Sequence, residues 1–110
     1  MTDIKESDWK LFSHLHGVAL ERYCQRAIEG VKSVAQESSD SFHDTYLKLF
    51  LLLRERDKTL ARIFDNPRRS TALVLLTNII EEGLLSDEEI SQFSPEAREA
   101  VERIESIRRS

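Results

Sequence analysis

Only three glycines and two prolines interrupt this chain of 110 residues, and its apolar residues recur three and four positions apart. The two-residue alternation of a half-buried strand is nowhere sustained. So few breaks leave long amphipathic helices joined by short turns as the pattern this chain can satisfy. The expected fold is an all-α compact bundle of four main helices plus one short helix, in a single domain over 1–110. A chain of this length can bury roughly 65% of its unfolded surface, enough for one core.

A first helix over 8–36 places Trp9, Phe12, His16, Leu20, Tyr23, Ala27, Val31 and Val34 on one stripe. At 1.5 Å per residue it would run roughly 43 Å, against a radius of gyration of ~13 Å for a compact domain of this size. The helix therefore either bends, with Gly17 and Gly30 as the candidate positions, or overhangs the body and calls for a partner. Leu11, Leu15 and Val18 form a second apolar strip that would suit a homodimer seam, unless a neighbouring helix covers it.

A second helix is expected over 41–64, after the polar break Ser38-Ser39-Asp40. Its segment from Tyr46 to Leu53 is apolar nearly all round, which predicts a central helix and the most buried one. Asn66 followed by Pro67 reads as an N-cap with proline at the first position of a third helix over 67–82, stopped by Gly83. Ser86 and Glu89 have the spacing of a capping box for a short helix over 87–92, with Leu85 and Ile90 placed as a hydrophobic staple. Ser94-Pro95-Glu96 then opens a last helix over 95–108.

On that reading Arg68 and Arg69 fall in the first turn of the third helix, where cations oppose the helix dipole at a cost of a few tenths of a kcal/mol each. Charge is unevenly spread. Residues 54–78 hold six basic and three acidic side chains, whereas 79–110 hold four and nine. The two stretches are complementary, so Arg68 and Arg69 are expected to cap the preceding helix or to pair with Glu81, Glu82, Glu88 or Glu89. An alternative is anion binding through Arg62, Arg68, Arg69 and Ser70 at the helix start. A further one is nucleic-acid contact along the basic segment 54–69, which a net charge of −4 does not favour. A helix-turn-helix fails here, because the helix after the turn is almost wholly apolar from Ala72 to Ile80 and must face the core, so it cannot lie in a major groove.

His14 and His16 are two apart, so they leave a helix on nearly opposite sides and make no metal pair. His16 lies on the apolar stripe, where a hydrogen bond to a carbonyl or a tyrosine would satisfy it. Arg56 and Asp57 flank the second stripe, and with His16, Tyr23 and Tyr46 they could line a buried polar pocket in the bundle. No nucleophile elbow, phosphate-binding glycine loop, Cys-x-x-Cys pair or His-Glu-x-x-His motif occurs. No catalytic residue, metal site or cofactor is therefore assigned. Cys24 has no second cysteine to pair with, the first residues lack a signal-peptide core, and no apolar run reaches the ~18 residues of a membrane span. The expectation is a small cytoplasmic interaction or regulatory module, self-associating or bound to a protein partner, not to a membrane. The alternatives are the anion or nucleic-acid binder and a helical enzyme or small-ligand binder using the polar pocket.

Overall fold

The computed structural model describes residues 4–37 and 41–110. The break Ser38-Ser39-Asp40 lies outside the described residues. The fold is all-α, with helices α1 (Glu6–Glu37), α2 (Phe42–Phe64), α3 (Ala72–Glu81), α4 (Asp87–Ser91) and α5 (Pro95–Arg109). No strand occurs among the described residues.

Of the two outcomes open to the first helix, overhang is the one observed. α1 is continuous for 32 residues, about 48 Å at helical rise, in a molecule of 53 × 28 × 24 Å. The radius of gyration, 16.9 Å, exceeds the ~13 Å of a sphere-like domain because α1 and α2 run out together beyond the other helices. His16 meets Phe64, Tyr23 meets Arg56 and Gly30 lies beside Leu52. One index rises as the other falls, so α2 returns antiparallel along α1.

The core sits at one end, the head. There Phe12, Leu15, Ala19 and Tyr23 of α1 pack with Ile63, Phe64, Leu76, Ile79, Phe93 and Val101. An aromatic file threads it. Trp9 stacks on Phe12, Phe12 meets His16, and the Phe64 ring stands edge-on to His16 at 5.3 Å and near Tyr23 at 6.0 Å. Among the described residues, none between 24 and 62 is buried.

This corrects the expectation for the second helix. Only Ile63 and Phe64 of α2 are buried, whereas α3 buries Ala72, Leu75, Leu76, Thr77, Asn78 and Ile79. α3 is the most buried helix because α1 and α5 both pack on it, while most of α2 has α1 alone beside it.

The local grammar holds at four termini. Ser41 accepts from the Asp44 amide at 3.1 Å, and Ser94 accepts from the Ala97 amide at 3.2 Å. Ser86 and Glu89 form the full capping box. Gly83 takes φ 73° just past α3, a conformation open to glycine at little cost.

It fails at Asn66-Pro67. Asn66 adopts φ 56° and follows the end of α2 instead of capping α3. Proline disfavours the right-handed helical region for the residue before it, and asparagine tolerates the left-handed one. Pro67 and Arg68 are irregular, residues 69–71 form a turn closed by the Thr71 amide on the Arg68 carbonyl at 3.0 Å, and α3 begins at Ala72. The Thr71 hydroxyl does not cap α3. It donates to the Arg68 carbonyl at 3.2 Å and accepts from the Arg68 amide at 3.3 Å. Arg68 and Arg69 therefore precede the helix.

Candidate functional site

The acidic last third is held mainly by α1 and not by segment 54–69. Arg22 reaches from α1 to both Glu89 oxygens, at 2.7 and 3.0 Å, and donates to the Leu84 carbonyl at 2.8 Å. With the Ser86 amide also on Glu89 at 2.8 Å, the Arg22 guanidinium holds the Glu89 carboxyl down at about 2. Arg26 bonds the Glu82 carbonyl, Lys5 pairs with Glu96, and Arg108 of α5 pairs with Glu81. The buried Asp8 carboxylate accepts from the Ser94 amide at 2.9 Å and its hydroxyl at 2.6 Å, which ties the start of α5 to the start of α1.

Arg69 pairs with neither the preceding helix nor the C-terminal acids. It forks onto Glu6 at 2.5 and 3.3 Å and lies over the Trp9 ring, 5.4 Å from its centroid. The Arg69 guanidinium lowers the Glu6 carboxyl. Arg62, Arg68 and Ser70 are exposed.

The five residues of the expected polar pocket are not brought together. The His16 Nε2 meets the Phe64 carbonyl at 3.0 Å, and the Tyr23 hydroxyl donates to the Arg56 carbonyl at 3.0 Å. Tyr23 is buried and His16 half-buried, and each is satisfied by backbone. Arg56 and Asp57 are exposed, and Tyr46, 66% exposed, lies about 16 Å further along α2. No buried polar side-chain atom lacks a partner, and no three His, Cys, Asp or Glu converge as a metal site, among the described residues.

The expected seam is corrected as well. Leu15 is 5% exposed in the core, and Leu11 and Val18 are half-buried by the chain's own helices.

The uncovered apolar surface lies elsewhere. Nine large hydrophobic side chains are exposed among the described residues, and seven belong to the overhanging arm of α1 and α2: Ile28, Phe42, Tyr46, Leu47, Phe50, Leu51 and Leu53. Phe42 is 96% exposed. Projected down α2, Phe42, Tyr46, Phe50 and Leu53 fall within a sector of about 80°, on the flank that Ile28 shares from α1. At the base of this flank an open apolar groove of about 220 Å³ runs between the helices, lined by Tyr23, Cys24, Ile28, Leu53 and Leu60 with Arg56 and Asp57 at its edge. Monomers rarely leave more than a few hundred Å² of contiguous apolar surface uncovered, and the three arm aromatics alone expose on the order of 400 Å². Helical periodicity locates these residues but not what stands opposite them. Among the described residues no helix is long and apolar enough to cross a membrane. No protein-family model, curated protein or solved structure matches the chain.

Proposed function

We propose that this chain is a cytoplasmic helical interaction module that self-associates through the arm formed by the second half of α1 and the first two-thirds of α2. One observation carries the reading: seven of the nine exposed large hydrophobics of the described residues crowd onto that arm. Two helices in contact shield only one side of each other, and independent bundles bury more apolar surface by adding further helices. A second hairpin would supply them. The head is held by its own core and by the Arg22–Glu89 and Asp8–Ser94 links, so it serves as a rigid base for the arm. The lone unpaired Cys24 suits a reducing compartment.

The test is the concentration dependence of the melting temperature. Self-association makes the melting temperature rise with protein concentration. Replacing Tyr46 and Phe50 together by glutamate should abolish that rise while the far-UV helical signal stays. A melting temperature independent of concentration in the wild type would sink the proposal.

A further inference from the structure

The groove at the arm's base and the phenyl ring at its tip lie on one face, and the groove, about 220 Å³, has room for such a ring. The groove is centred level with residue 56 of α2, since Tyr23 meets Arg56 and Gly30 lies beside Leu52. Phe42 stands about 21 Å away along the same helix. Its projected direction coincides with that of Leu60 and lies within about 20° of Leu53, both of which line the groove. A knob and a hole on one face are self-complementary under a two-fold axis midway between them. That midpoint falls near Leu49, flanked by the exposed Tyr46, Phe50 and Leu53.

Building on the self-association reading, we propose that two copies pair their arms antiparallel about this axis, each inserting Phe42 into the Tyr23–Cys24–Leu53–Leu60 groove of the other. Four helices then enclose one apolar seam, and the heads lie at opposite ends of the assembly. The face runs about 27 Å from Phe42 to Leu60 and about 20 Å across two helices. That flat outline, roughly 540 Å² before the relief of its side chains is added, is about two-thirds of the ~800 Å² per partner of a stable interface.

Cys24 lines the groove, so the chain carries its own reporter. Phe42→Cys is oxidised at equilibrium and the product mapped by peptide mass. A dimer linked from position 42 of one copy to Cys24 of the other is the expected result. The same link within one chain would span about 21 Å, whereas a disulfide needs Cα atoms within about 7 Å. Adding Cys24→Ser should abolish the disulfide-linked dimer, and the wild type should not cross-link, because its two Cys24 positions lie about 20 Å apart along the helices. A link between the two position-42 cysteines, or no link in a protein whose wild type is dimeric, would overturn this pairing and leave self-association standing. A monomeric wild type would overturn both.

Discussion

The Tyr23 hydroxyl donates to the Arg56 carbonyl at 3.0 Å, and the buried core ends at that bond. Tyr23, 2% exposed, is the last buried residue of α1, and Ile63 is the first of α2. On one side of the bond is a packed head. On the other, two helices cover only each other. Tyr23→Phe removes the bond but keeps the ring, so a loss of about 1 kcal/mol is expected in urea unfolding. Tyr23→Ala also empties ring volume and should cost about 4 kcal/mol.

The acid limb of stability should depend on Glu89. Its carboxyl ionises at about 2 in the folded protein, mainly through the Arg22 guanidinium, and near 4.3 when unfolded. The unfolded state therefore binds more protons between those values. The contribution is complete above pH 4.3 and lost as pH falls toward 2. Arg22 is 43% exposed, so solvent screening keeps the pair's contribution small. Glu89→Gln should lower stability at pH 7 and close the gap to wild type near pH 2, as read by urea unfolding at both values. An equal gap at both would exclude the pairing as the cause.

The three glycines should respond with opposite signs. Gly17 and Gly30 sit inside α1, and an added Cβ meets nothing within 4 Å at the first and the Leu52 Cδ2 at an ordinary 3.8 Å at the second. Alanine at either should stabilise by about 0.5–1 kcal/mol. Gly83 holds φ 73°, so alanine there should destabilise by about 1 kcal/mol. Thermal melts of the three variants check all three signs.

Asp8 supports the α5 cap from 86 residues away in sequence. Asp8→Ala would leave the Ser94 amide without its acceptor and should cost about 2 kcal/mol. Asp8→Asn, which keeps one carbonyl oxygen, should recover part of that loss. Equal destabilisation by both would count against the amide contact as the source.

Short-range chemistry in this chain reads directly from the residues. Ser86 with Glu89, Ser94 before Pro95 and Gly83 after α3 each act within a few positions, and each behaves as its residue type dictates. At Asn66-Pro67 the local reading fails, because Asn66 takes the left-handed conformation that asparagine tolerates instead of the extended one of an N-cap. Partner choice is not local. Nothing in the neighbourhood of Arg69 points to Glu6, 63 positions away, or in that of Arg22 to Glu89. Periodicity also counts apolar faces without saying what covers them. The run from Tyr46 to Leu53 has the pattern of a central core helix yet stands largely exposed. The same pattern that predicts burial within a chain is met equally by burial between chains.

The most direct measurement is sedimentation equilibrium of the full chain in reducing buffer up to about 100 µM. The expected result is a species of twice the 12.8 kDa chain mass, converted to the single chain by Phe42→Asp with its helical content and head stability unchanged. A wild type that stays at 12.8 kDa throughout would contradict the arm as a self-association surface.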